Sequence, residues 1–302
     1  MKKRNSYFII LLILFSFKGI SQVKEEKLKV ITYNIWNGYD WGNDEVRRAN
    51  LVEWIKEQNP SIVGLQELCK YTPEKLREDA KNWGHKYSVL LKESGYSVGL
   101  SSVFPIEIKE KIFEGMHHGA LHCKTGGIDV FVIHLSPGSF KKRREEAKII
   151  LQKLTEVAKN NPRYLVMGDF NTLSPFDADL YKNEVLLKRM RKSNADKPET
   201  GNLVNNEFDF AVLSSFLSFP LIDVCQKYTN EIAERGSFPA RSLGEINNET
   251  DEELVSRLER IDYIMVSPEM AKKCIAAEVY NKEPNWYLSD HYPVGVVFKN
   301  IF

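Results

Sequence analysis

Short β-rich runs alternate with amphipathic helical stretches from residue 29 to residue 298, and this alternation limits the fold more than any other feature of the chain. The strand-like runs are KVITYN (29–34), SIVGLQE (61–67), YSVLLKES (87–94), IDVFVIHL (128–135), RYLVMGDF (163–170), IDYIMV (261–266) and PVGVVF (293–298). Between them, Asp44 to Gln58 begins on a capping acid and stops at Asn59-Pro60. Lys141 to Asn160 sets Ala147, Ile150, Leu151, Leu154 and Ala158 on one face. Such a pattern belongs to layered α/β folds. No repeat, low-complexity tract or long linker interrupts it, so residues 23–302 are expected to form one domain. With 43% hydrophobic residues the chain has enough apolar side chains for a large core.

Polar groups mark the ends of these strands. Asn34 closes the first, Glu67 the second, His134 falls near the end of the fourth, and Asp169 with Asn171 follows the fifth. Carboxyl ends of strands are where open α/β sheets build their sites. Asp262 instead opens its strand, and Asp290-His291 directly precedes another. If those two strands run antiparallel to the rest, their amino ends reach the same rim, the sheet is mixed, and all these groups converge.

Taken singly, each group has an ordinary explanation: a turn former, a helix cap, a satisfied core histidine. Together they suit attack of water on a phosphate ester. Glu67, Asp290 and the amide oxygen of Asn34 are hard ligands for Mg²⁺ or Mn²⁺. In an extended segment residues i and i+2 point the same way, so Asp169 is expected to deprotonate water while Asn171 hydrogen-bonds the phosphate. His291, oriented by Asp262, is expected to donate to the phosphate.

Residues 1–22 carry Lys2, Lys3 and Arg4, an apolar stretch from Tyr7 to Phe17, and then small and polar residues, which is the pattern of a signal peptide. The mature protein is accordingly expected to be secreted or periplasmic, without membrane insertion, and monomeric. Loss of residues 1–22 leaves 38 basic against 41 acidic residues, a balance that disfavours avid, sequence-independent binding of nucleic acid. Cys69, Cys123, Cys225 and Cys274 match no zinc spacing; free thiols and disulfides are both open.

The sequence resembles the endonuclease/exonuclease/phosphatase superfamily of metal-dependent phosphoesterases. The likeness rests on TYNIWNG with Asn34, LQE with Glu67, VIHLSPG with His134, GDFN with Asp169 and Asn171, RIDYI with Asp262, and SDHYPV with Asp290 and His291, in the family's order over residues 29–298. It implies a four-layer α/β sandwich with two mixed β-sheets packed between helices. It further implies Asn34 and Glu67 at the metal and Asp169 as base or second ligand. Asn171 and His134 would then lie on the phosphate and His291 on Asp262, with Asp290 as another ligand. Two departures bear on substrate. The tryptophan and arginine that flank GDxN in inositol-polyphosphate 5-phosphatases are replaced by Val166, Met167 and Leu173, and HLSPG stands where exonuclease III-like repair enzymes carry YxPNG.

Gly95-Tyr96-Ser97-Val98-Gly99 also matches a nucleophile elbow, which would make Ser97, Asp262 and His291 the triad of a serine esterase. The segment after Gly99 reads as a strand broken by Pro105, so a β-hairpin is expected instead. A non-catalytic binding module is the third class; the full set of catalytic side chains speaks against it. The substrate, whether nucleic acid, lipid head group or small phosphorylated molecule, is left to Thr172–Asp179 and to residues 231–260, an expected exposed insertion. Residues 172–220 form a second irregular region expected to border the site. Phe176, Phe238 and Trp286 are offered as stacking rings.

Overall fold

The computed structural model describes residues 27–181, 184–197, 201–229, 232–299 and 301; the expected signal peptide lies outside them. One six-stranded sheet contains β1 (Lys27–Asn34), β2 (Ile62–Gln66), β3 (Tyr87–Leu90), β4 (Gly99–Ser102), β13 (Cys274–Val279) and β14 (Val294–Lys299). A second contains β5 (Ile106–Ile112), β6 (Ala120–Thr125), β7 (Ile128–His134), β8 (Tyr164–Asp169), β11 (Ile222–Asp223) and β12 (Asp262–Val266). A two-residue hairpin, β9 (Leu203–Val204) with β10 (Glu207–Phe208), stands apart.

The strand orders are β13-β14-β1-β2-β4-β3 and β11-β12-β8-β7-β6-β5. Each sheet has one parallel pair at its centre, β1 with β2 and β7 with β8, and every other neighbour is antiparallel. The two sheets therefore share one pattern of strand directions, and both are mixed as expected.

The sheets pack face to face through Val30, Ile62 and Leu100 on one side and Val130, Leu165, Met167 and Ile264 on the other, all buried. Gly64 permits a close approach in this interface, since a Cβ there would lie 2.5 Å from Met167 Cε. Helices α1 (Glu45–Gln58) and α2 (Pro73–Asn82) cover the outer face of the first sheet through Leu51, Ile55 and Leu76. Helices α3 (Phe140–Asn160), α4 (Val185–Asp196) and α5 (Ala211–Ser218) come next in the chain; α3 and α5 cover the second sheet through Ala147, Ile150, Leu154 and Phe216. The result is the four-layer α/β/β/α sandwich that the resemblance implied. Helix α1 starts where its capping acid placed it, Asp44 accepting from Arg47 N–H, and ends on Asn59 in the left-handed region (φ 46°) before Pro60.

Two expectations are corrected. Residues 231–260 are not simply an exposed insertion. Ser237 is fully buried, its Oγ accepts the N–H groups of Ile261 and Asp262, and Ala240 N–H reaches Asp290 O, so this segment is bonded into the strands that carry the site. Nor does Asn171 continue a strand: β8 ends at Asp169, and Asn171 lies in the left-handed region (φ 49°). Asparagine tolerates that conformation because its short amide bonds locally. Here its N–H donates to Asp169 Oδ1 (2.8 Å) and its Nδ2 to Leu135 O (3.0 Å).

The hairpin of β3 and β4 forms as expected. Ser97 is buried in its connection, accepting from Lys92 N–H and donating to Val98 O, so its hydroxyl is engaged with local backbone. All four cysteines are buried free thiols. Among the described residues no helix is long and apolar enough to cross a membrane.

Candidate active site

Register brings the strand ends together. In the second sheet His134 pairs with Asp169 across the parallel ladder, and Asp262 pairs with Asp169 across the antiparallel one, so three functional side chains share one row. In the first sheet Asn34 closes β1 beside Gln66, and Glu67 comes directly after. Strand β14 runs antiparallel to β1, which returns Asp290 and His291 to the same rim.

The side chains meet across the sheet interface. Asn34 Nδ2 lies 3.1 Å from Asp169 Oδ2, 3.3 Å from Glu67 Oε1 and 3.4 Å from His291 Nε2. Its Oδ1 accepts the N–H of Trp36 at 3.1 Å, which fixes the orientation of the amide. His291 Nδ1 is 2.9 Å from Asp262 Oδ2, and its Nε2 is 3.9 Å from Asp169 Oδ2. His134 Nε2 stands 3.5 Å from the same carboxylate oxygen. A cleft of about 430 Å³ is lined by His134, Asp169 and His291 together with Glu67, Asn171 and Asp290, while Asn34 and Asp262 stand behind it, hydrogen-bonded to those that line it. All eight residues singled out in the sequence thus meet in one place.

Burial sets the electrostatics. Desolvation first, then the neighbouring Asp262, pushes the Asp169 carboxyl up to about 8. Desolvation pushes Asp290 up to about 6, with Glu67 adding to the effect and His291 opposing it. Burial works against charge on His291, but Asp262, Asp290 and the hydrogen bond to Asp262 overcome it and hold the imidazolium well above the usual histidine range. His134 goes the other way: burial, with His118 and His291 beside it, keeps it neutral.

Among the described residues lining the cleft there is no lysine or arginine. Several carboxylates therefore share one enclosure with a single imidazolium, a donor set that suits a divalent cation. Asp169, Asp262 and His291 each offer a ligand atom within 4.8 Å of the others. Asp262 Oδ1 is buried with no partner among the described residues.

Strain surrounds the cleft. Residues from Trp36 to Trp41 all have positive φ, making a left-handed turn that costs about 1–2 kcal/mol for each non-glycine residue. Glu67 has φ 61°. The turn is held by Asn37 N–H donating to Glu67 Oε2 (2.7 Å) and by the Arg47 guanidinium, which donates to Ile35 O and Trp36 O (both 3.0 Å) and lies over the Trp36 ring. Sequence reasoning missed this turn, and it missed His117 and His118, which also line the cleft. Of the three rings offered for stacking, Phe238 lies 4.8 Å from the His291 ring, Trp286 is covered by Arg241 at 4.0 Å, and Phe176 is exposed.

The model of the endonuclease/exonuclease/phosphatase family matches residues 31–291, and the chain belongs to that family, whose enzymes are phosphoesterases dependent on a divalent metal. Among solved structures it resembles an AP endonuclease from Archaeoglobus fulgidus, at 22% identity and a TM-score of 0.63, over 90% of this chain and 99% of that one. It also resembles a point variant of the 3′ phosphatase NExo from Neisseria bound to product DNA hairpin, at 20% identity and 0.64, with the same coverage. The 3′-5′ exonuclease NExo of Neisseria meningitidis matches at 21% and 0.62, again over 90% and 99%. At these identities the solved structures establish the fold. No curated protein matches the chain.

Proposed function

We propose that residues 23–302 form a single, monomeric, secreted or periplasmic domain that hydrolyses phosphate esters with Mg²⁺ or Mn²⁺. The observation that carries this reading is the meeting of Glu67, Asp169, Asp290 and His291 in one cleft, from strands of both sheets, with Asn34 directly behind it in contact with Glu67, Asp169 and His291. Because Asp262 Oδ2 is engaged by His291 Nδ1 at 2.9 Å, the cation is assigned to Glu67, Asp290 and the Asn34 amide oxygen, which would reach it once the amide turns over, since Nδ2 now faces the carboxylates and Oδ1 accepts from Trp36 N–H. Bound there, it would offset the negative charge that develops on the phosphoryl oxygens.

The protein groups divide the remaining work. Asp169, steadied by Asn171 N–H on one oxygen and the Asn34 amide on the other, orients a water and takes its proton. Its raised pKa makes its carboxylate a stronger base than an ordinary one, with the active deprotonated form gaining as pH rises toward 8. His291, charged and held on Asp262, donates from Nε2 to the phosphate, and His134 and Asn171 complete the donors. Similarity to an enzyme solved with a DNA hairpin supports keeping nucleic-acid ends among the substrates.

The test is hydrolysis of bis-p-nitrophenyl phosphate and of a panel of DNA, RNA, sphingomyelin, inositol phosphates and sugar phosphates, with metal and with chelator. Asp169→Ala and His291→Ala should each lower kcat by about 10²- to 10⁴-fold. Variants as active as the parent, or activity undiminished by chelation, would reject the assignment.

A further inference from the structure

The turn between β5 and β6 brings a histidine doublet to the catalytic rim. Because β6 is antiparallel to β7, with Ala120 opposite Ile133, the residues just before β6 lie against the carboxyl end of β7, where His134 sits. His118 is 7% exposed and its ring stacks on that of His134, centroids 4.2 Å apart and planes inclined by 25°. His117 and His118 both line the cleft.

The turn is anchored from below. The fully buried carboxylate of Glu146 accepts His117 N–H at 2.6 Å through one oxygen and Ser136 N–H at 2.8 Å through the other. It thereby ties the histidine doublet to the loop after His134.

The nitrogens of His118 indicate what the ring offers. Nε2 is enclosed and has no partner among the described residues, and Nδ1 does not share that condition. Burial lowers the imidazole to about 3, so it is neutral in the working range and carries one N–H. An enclosed N–H without a partner is rarer in proteins than an enclosed acceptor without one, which favours the tautomer with hydrogen on Nδ1. That gives a neutral donor to a ring that lines the cleft, where the described lining has no lysine or arginine to meet an anion.

We propose that His118 is a substrate-binding residue whose Nδ1–H donates to a non-bridging oxygen of the scissile phosphate, beside His134. This rests on the phosphoesterase reading above. Its ligand class is any phosphate ester, since a lone donor at this position reads the phosphoryl group and not the alcohol attached to it.

Two substitutions separate the donor from the stack. His118→Phe keeps a ring against His134 and removes the donor; His118→Asn removes the ring and places an amide nitrogen where Nδ1 stood. With Mg²⁺ and bis-p-nitrophenyl phosphate, His118→Phe should lose about 10- to 100-fold in kcat/KM, as expected for one hydrogen bond to a charged group. His118→Asn should stay within about 5-fold of the parent. Stabilisation of the melting point by inorganic phosphate should follow the same order, and it needs no turnover. A packing role predicts the opposite ranking, and His118→Phe equal to or better than His118→Asn in kcat/KM or in phosphate stabilisation would overturn the proposal. Failure of the wider reading looks different: it would show as Asp169→Ala retaining full activity, while the phosphate-stabilisation arm still decides the role of His118.

Discussion

Gly168→Ala is the sharpest way to ask whether the active-site row is set by the packing of β7 on β8. Gly168 has φ 141°, and a Cβ built there would lie 1.9 Å from Ile133 O and 2.9 Å from Ile133 C, both backbone atoms of the neighbouring strand. No rotamer change relieves such a clash. To restore a contact of roughly 3.5 Å, the two strands must part locally by about 1.6 Å, the difference from the 1.9 Å approach. Ile133 pairs with Gly168 and the next pair in the register is His134 with Asp169, so the displacement falls on the chemistry. Overpacking and backbone strain together should cost about 3–5 kcal/mol. For a chain of this size that corresponds to a melting point lower by roughly 6–20 °C.

A misplacement of about 1 Å at a catalytic group costs on the order of 10²-fold in rate, so the fraction that stays folded should also be slow. Thermal or urea unfolding gives the first number, and kcat measured well below the new melting point gives the second. If Gly168→Ala melts within about 2 °C of the parent, less than 1 kcal/mol, the strand approach is not the constraint it is taken for. If it is destabilised yet turns over at the parental rate, the row does not depend on this register.

Asp262→Asn keeps an acceptor for His291 Nδ1, now 2.9 Å from Asp262 Oδ2, but removes the charge that holds the imidazolium. The group should then lose its proton at lower pH, so the alkaline limb of kcat moves toward acid and the rate at pH 8 falls by about 10- to 100-fold; an unmoved limb would deny His291 its role as donor. Arg260→Ala removes the partner of Asp177 (2.7 Å) and Asp223 (2.6 Å), both fully enclosed, and should cost about 3–5 kcal/mol in urea unfolding at pH 8. Burial already raises Asp177, and loss of Arg260 raises it further. Between its unfolded and folded pKa values the folded state then holds the extra proton, so stability falls as pH rises through that window and the deficit should shrink toward pH 5. A deficit independent of pH would contradict this.

The site was largely legible in the sequence because each of its groups is fixed by a strand terminus, and termini can be read from where an apolar run stops. Asn34, Glu67, His134 and Asp169 end such runs, and Asp262 and His291 precede them. What escaped was encoded by pairing rather than by pattern. The extended geometry assigned to Asn171 fails because its N–H is drawn onto Asp169 Oδ1, a contact one side chain makes with the next turn and no periodicity reports. His118 escaped because ALHCKT was not read as a strand. The rule that returned Asp262 and His291 to the rim, an antiparallel strand's amino end meeting a parallel strand's carboxyl end, applies equally to β6 and would have found it.

The left-handed turn at Trp36–Trp41 was illegible for another reason. In WNGYDW only Gly38, and less readily Asn37 and Asp40, accept positive φ; Trp36, Tyr39 and Trp41 do not, and the conformation persists because the surroundings over-determine it. A Cβ on Gly38 would meet Cys69 O at 2.3 Å, so the turn is pressed against the residues just after Glu67. Arg47 clamps its carbonyls, and Asn37 N–H pins Glu67 Oε2. Glu67 itself sits at φ 61°. The strained turn and the strained carboxylate therefore hold each other, linking the end of β1 to the end of β2 through Asn37. Their joint effect is to fix a metal-assigned carboxylate in a conformation that a free chain would leave. This is the kind of stored strain that active sites tolerate because relaxing either partner disorders the other.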